Sequence, residues 1–106
     1  MDQGELNGKV QAFADLLHEQ QLAAYLKQYP NSTLAETNTQ VFVRPRQKYI
    51  AVDVDTSGKY LVVRETGEIF GIKGYGVLHR GHRYGTLDTI HDWDWSGYVG
   101  RRKSGS

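Results

Sequence analysis

Cysteine is missing from this chain of 106 residues, and proline, with two residues, and methionine, with one, are scarce. Without cysteine there can be no disulfide, no thiolate metal ligand and no thiol nucleophile. No apolar run approaches the ~20 residues of a membrane-spanning helix, and the N-terminus lacks the basic-then-apolar layout of a signal peptide. We therefore expect a cytoplasmic protein with no membrane attachment and no cofactor.

Positive charge is scarce in the first 40 residues and concentrated in the rest. Residues 1–40 carry two bases and five acids, a net charge of −3, whereas residues 41–106 carry eleven bases and seven acids, a net charge of +4. The chain length suits one domain with a modest core, and 39% apolar residues fit a folded protein. The later two-thirds is therefore the part expected to meet an anionic partner.

Hydrophobic spacing predicts one long helix at the start of the chain. Apolar residues recur at helical spacing from Leu6 to Leu17, and a second set from Leu22 to Tyr29 continues the pattern. These two sets predict a single amphipathic helix over about 5–29, either straight or bent near the polar residue His18. It should end before Pro30, which cannot extend it without losing a backbone donor.

After residue 40 the apolar period changes to two, which predicts strands. The alternation is interrupted by turn residues and never by a pattern that would give a crossover helix. This pattern argues against a parallel sheet, and we predict a single α+β domain over residues 1–100. In it, the N-terminal helix packs on an antiparallel β-meander of three to five strands.

Acidic residues are absent from Gly71–Gly85, GIKGYGVLHRGHRYG, where five glycines are interleaved with basic and aromatic residues. Cations bind phosphates, exposed rings stack on bases, and glycine lets a chain approach a sugar-phosphate backbone closely. We predict a non-enzymatic binding module for single-stranded nucleic acid, although no ribonucleoprotein, KH, helix-turn-helix or Walker signature is present. The predicted contacts are Arg46, Lys73, Tyr75, His79, Arg80, His82, Arg83 and Tyr84. The basic end of the chain, residues 101–106, is predicted to be a flexible tail that adds to them.

The histidines of this segment leave two other functions open. His79 and His82 could join His91 at a metal, but residues three apart on a strand point to opposite faces unless the chain bends at Gly81. A histidine pair with cationic stabilisation could also hydrolyse a phosphodiester, but nothing identifies a nucleophile. We therefore assign no catalytic residue and no metal ligand.

The acidic and aromatic run His91–Trp95, HDWDW, supports a different function. The pattern of residues 87–95 does not decide between a short strand and a helical turn, and one tryptophan is expected in the core with the other partly exposed. Exposed tryptophans would concentrate binding energy at an interface. The alternative function is therefore a protein-interaction or assembly module in which Trp93 and Trp95 contact a protein partner or a second copy of the chain.

Residues 45–90 resemble small uncharacterised α+β proteins encoded by bacteriophages. The matching features are the turn Thr66–Phe70, which fits the pattern T-G-[ED]-[IV]-[FY], and the later glycine- and arginine-rich stretch Arg80–Gly85. The resemblance implies a viral accessory protein that works in the host cytoplasm, and it brings no catalytic residues with it.

Overall fold

The structure, a computed structural model, describes residues 2–55, 57–74, 77–97 and 99–103. Two α-helices come first, and a five-stranded sheet follows. The helices are α1 (Gln3–Gln28) and α2 (Ala35–Asn38), and the strands of the sheet are β1 (Val41–Pro45), β2 (Tyr49–Val54), β3 (Ser57–Val63), β4 (Glu68–Gly74) and β5 (Val77–Thr86). A 3-10 helix (Leu87–Asp92) then leads to two short paired strands, β6 (Trp93–Asp94) and β7 (Arg101–Arg102).

The sheet is an antiparallel meander, because its spatial order β1-β2-β3-β4-β5 is the order of the sequence. Helix α1 packs on one face through Leu6, Val10, Phe13 and Leu17, which join Ile50, Val52 and Val62 of the sheet in one core. The predicted fold class is therefore confirmed. The described residues of the segment Gly71–Gly85 form the end of β4 and most of β5, and its cationic side chains are exposed on these strands.

Asp2 caps the N-terminus of helix α1, because its carboxylate accepts a hydrogen bond from the Glu5 amide at 2.8 Å. It ends before Pro30, as the sequence predicts. None of the helices in the described part of the chain is long and apolar enough to cross a membrane.

The second half of α1 does not continue the buried stripe of the first half. Each residue turns about 100° round a helix axis, so Leu22, five residues after the buried Leu17, lies about 140° away from it. Leu26 and Tyr29, which share the side of Leu22, are accordingly 38% and 50% exposed. The prediction of one continuous amphipathic face is therefore wrong beyond Leu17.

Gln20 and Gln21 occupy the core-facing positions of this second half, where they hold the C-terminal segment. The Gln20 side chain accepts a hydrogen bond from the Trp95 amide at 2.6 Å, and the Gln21 side chain donates to the Trp95 carbonyl. These contacts fix Trp95, which is 0% exposed and stacks edge-on against Phe13 at 4.8 Å and Tyr60 at 5.3 Å between ring centroids.

Within this aromatic core, the hydroxyl of Tyr60 is buried without a hydrogen bond to any described side chain. Tyr60 as a whole is 1% exposed. Burial, and then the nearby Tyr84, raise the pKa of the Tyr60 phenol far above its ordinary value of 10.0, and the Gly100 backbone opposes the increase only weakly.

We expect alkaline pH to destabilise the protein through Tyr60. A raised folded-state pKa favours the neutral phenol, so this contribution to stability is present below about pH 10 and is lost as pH rises further, by up to about 1.4 kcal/mol per pH unit. Tyr60→Phe should keep the ring packing, match the wild type near neutral pH and lose less stability above pH 10. Urea unfolding at neutral and alkaline pH measures the difference, and Tyr29→Phe, at an exposed tyrosine, is the control. Equal alkaline losses in the wild type and Tyr60→Phe would contradict the assignment.

Candidate nucleic-acid interface

The basic hairpin, Ile69–Thr86, comprises most of β4 and all of β5. It carries Lys73, Arg80 and Arg83 and has no acidic residue in its sequence. All three cationic side chains are exposed, and β5 is an edge strand of the sheet. The hairpin therefore presents positive charge along one side of the domain.

A bulge in β5 brings His79 and His82 together. On β4, the neighbours Phe70 and Gly71 pair with Arg83 and His79, so three residues of β5 between those partners have no opposite residue. The chain bends there, and the two imidazole rings stack with centroids 4.0 Å apart and planes 12° from parallel. Glycine at position 71 makes room for the stack, because an added Cβ would lie 3.2 Å from the Cβ of His82.

The His79 and His82 rings are held together by their stacking, with no hydrogen bond from a described residue to the buried ring nitrogen Nδ1 of His79. Parallel rings direct their nitrogens side by side, whereas metal ligands must converge on one point. In the described ranges no group of three or more histidine and carboxylate side chains is placed to hold a metal ion. The stacked pair is therefore unsuited to bind one metal ion jointly.

Arg83 and Arg80 differ in how much of their charge is already neutralised. The Arg83 Nε donates to the Glu68 carboxylate at 2.8 Å. Arg83 first, then the Thr66 hydroxyl, hold the pKa of Glu68 below its ordinary value, and the charge of Arg80 adds to this effect. A guanidinium has five N–H donors, so Arg83 keeps donors for a ligand. Arg83 nevertheless also has a structural role that Arg80 does not share.

Tyr84 lies in the core and cannot stack on a base. Its ring is 7% exposed and packs edge-on against Tyr60 at 5.4 Å and Trp93 at 5.8 Å between centroids. Burial raises the pKa of its phenol. The prediction of Tyr84 as a base-stacking residue is therefore wrong, and the other predicted stacking residue, Tyr75, lies outside the described residues.

Arg46 lies at the opposite end of the sheet from Lys73. Successive strands of a meander reverse direction, so the turn after β1, which contains Arg46, and the turn after β4, beside Lys73, are at opposite ends. A strand of six residues spans about 20 Å. The prediction that all the cations share one platform is wrong for Arg46, and the remaining group is Lys73, His79, Arg80, His82 and Arg83.

The structure also corrects the predicted interface and tail. Trp95 is fully buried and Trp93 is partly exposed, which confirms the expectation of one tryptophan in the core but excludes Trp95 from an accessible interface. Arg101 and Arg102 form β7, which pairs with β6, and the Lys103 amide donates to the Asp92 carbonyl at 3.0 Å. The flexible tail is therefore wrong for residues 101–103, and residues 104–106 lie outside the described residues. A homo-oligomer stays a prediction.

A cleft between α1, α2 and β1 is a concave site that the sequence interpretation missed. Asp15 and His18 line it from α1, and Glu36 lines it from α2. The sequence could have predicted that Asp15 and His18 lie together, since residues three apart on a helix lie on the same side. Glu36 could not be placed beside them from sequence, because the turn that brings α2 back against α1 is not encoded in any periodic pattern.

Comparison with known proteins assigns no further residues to these sites. The resemblance to small bacteriophage proteins stays a prediction. No family model matches the chain, and no curated protein or solved structure matches it either.

Proposed function

We propose that the protein is a non-enzymatic module that binds single-stranded nucleic acid along the basic hairpin. The observation that carries the proposal is the acid-free hairpin itself, in which Lys73, Arg80 and Arg83 flank a stacked imidazole pair on an edge strand. A phosphate backbone that follows β5 would meet these cations in succession. The cytoplasmic location that the missing cysteines indicate is part of the same proposal.

The geometry favours a single strand over a duplex. His82, Arg80 and Arg83 are all exposed on the bulged edge strand, and histidine rings and arginine planes both stack on unpaired bases. The major groove of a duplex admits an α-helix or a regular two-stranded β-ribbon. The described part of this hairpin is neither, because its pairing is irregular. The bulge also discourages another strand from pairing with β5, so the edge stays accessible to a ligand.

A salt titration tests the proposal with Lys73→Ala plus Arg80→Ala, a pair that leaves the Arg83–Glu68 ion pair intact. We expect the wild type to bind an oligothymidylate of about 15 nucleotides more tightly as salt falls. The double variant should bind at least about tenfold more weakly near 50 mM salt, and its salt slope should be smaller by about 1.4, which corresponds to two lost phosphate contacts. Fluorescence anisotropy with a labelled oligonucleotide measures both quantities.

The matched control is Lys27→Ala plus Lys48→Ala, which removes the same charge from the end of α1 and from the opposite end of the sheet. It should bind nearly as the wild type does. Equal losses in the two double variants would indicate attraction by net charge alone and no localised site. If the wild type does not bind at low salt, the proposal is wrong.

A further inference from the structure

The cleft between α1, α2 and β1, here called the acidic cleft, has a volume of about 340 Å³. Its apolar side is formed by Ala14, Val41 and Val43, and its polar side by Asp15, His18 and Glu36. This size and this combination of an apolar surface with a few polar groups are typical of small-ligand sites.

Hydrogen bonds connect the polar side chains of the acidic cleft to their neighbours. Asp15 Oδ1 accepts from the Gln11 side chain at 2.8 Å. The two ring nitrogens of His18 lie 2.9 Å from the Thr39 carbonyl oxygen and 3.1 Å from Glu36 Oε2. Thr39 is itself buried. Each carboxylate therefore has one oxygen bonded to a neighbour in the cleft, while both side chains are exposed to an incoming ligand.

The charge of the acidic cleft selects a positive ligand. None of the described residues that line it is a lysine or an arginine, so its two carboxylates leave it negative whether His18 is neutral or protonated. Each carboxylate has two oxygens and about four acceptor sites, and the bonds above use one oxygen of Asp15 and one of Glu36. Acceptor capacity therefore remains for a cationic donor.

An organic cation fits better than a metal ion. The described residues contain no group of three metal-ligating side chains, and Asp15, His18 and Glu36 therefore do not converge as a metal site requires. An ammonium or guanidinium group needs no such convergence, and an alkyl chain attached to it would cover Ala14, Val41 and Val43. We propose that the acidic cleft binds a primary ammonium or guanidinium group carried on an aliphatic chain.

Titration with butylamine tests this proposal, with butanol and butyrate as probes that share its chain but not its charge. The readout is the movement of the Gln11 side-chain amide signal and of the backbone amide signals of residues 14, 15 and 36 in NMR spectra of the full chain. We expect saturable binding of butylamine and of butylguanidinium. Butanol and butyrate should bind at least about tenfold more weakly, since they lack the charge-assisted hydrogen bonds. Equal binding of butanol or butyrate, or no saturable change with butylamine, would overturn the proposal.

Asp15→Asn plus Glu36→Gln removes the two charges and keeps both shapes and both hydrogen-bonding oxygens. This variant should lose at least about tenfold in butylamine affinity. The control is Glu19→Gln plus Glu65→Gln, which removes the same charge at exposed positions outside the cleft. Unchanged binding in the first variant, or equal losses in both variants, would refute the site. Such a cation could come from a lysine side chain of a protein partner or from a free polyamine, and two further probes distinguish these sources. Tighter binding of lysine blocked at both ends indicates a partner's side chain. Tighter binding of putrescine indicates a free polyamine.

Discussion

Gly85→Ala is expected to lower the free energy of unfolding by about 3 kcal/mol, combining left-handed backbone strain with overpacking. Gly85 has φ +73°, a region that side chains with a Cβ rarely adopt. An added Cβ would also lie 2.5 Å from Thr89 Oγ1 and 2.8 Å from Trp93 Nε1. The Thr89 hydroxyl cannot easily move, because it accepts from the Thr86 amide at 3.0 Å in the cap of the 3-10 helix.

Gly8→Ala is the matched control for this prediction, since it makes the same chemical change where space is free. Gly8 lies inside α1, and an added Cβ there would meet nothing within 4 Å. Alanine is favoured over glycine in a helix interior by about 1 kcal/mol, so this variant should be more stable than the wild type. Urea unfolding measures both. A Gly85→Ala variant within about 1 kcal/mol of the wild type would show that the turn does not have the described conformation.

Local signals predicted the helix and the meander because each is encoded by neighbours in sequence. Apolar spacing and Pro30 predicted α1, and turn residues separate strands of period two. Even the separation of Arg46 from Lys73 follows from the alternation of strand direction, so the sequence contained the information that these cations lie at opposite ends of the sheet. The error was to group cations by composition when topology already separated them.

The bulge and the burial of Tyr84 could not be predicted in the same way. Three extra residues in β5 change which side chains face the core, and the register between β4 and β5 that requires them is set by contacts across the sheet. The offset of Leu22 from the buried stripe of α1 could be predicted, since it follows from the 100° turn per residue of a helix. The bonds of Gln20 and Gln21 to Trp95 could not, because Trp95 lies more than 70 residues later in the sequence.

Trp95→Ala is expected to cost about 4 kcal/mol, the range for removing a fully buried aromatic side chain. The ring is 0% exposed, contacts Phe13 and Tyr60 edge-on, and donates from Nε1 to the Ile90 carbonyl at 2.9 Å. A loss of this size is a large fraction of the 5–15 kcal/mol that stabilises a typical domain. Trp93→Ala is the control, because the ring of Trp93 is partly exposed and its removal should cost about half as much or less.

Gly100 provides a second test of the packing around Trp95. This test can be made even if the Trp95→Ala variant does not fold. A Cβ added at Gly100 would lie 2.5 Å from Cζ3 and 2.8 Å from Cε3 of the Trp95 ring. Gly100→Ala should therefore cost about 2 kcal/mol in the wild type but clearly less in a Trp95→Leu background, where the ring carbons are gone. Urea unfolding of the four proteins gives the coupling energy, which we expect to reach at least about 1 kcal/mol. Additive costs would mean that the C-terminal segment does not close over Trp95. Because that segment also carries β7, the burial of Trp95 and the strand pairing of Arg101 and Arg102 would then both be wrong.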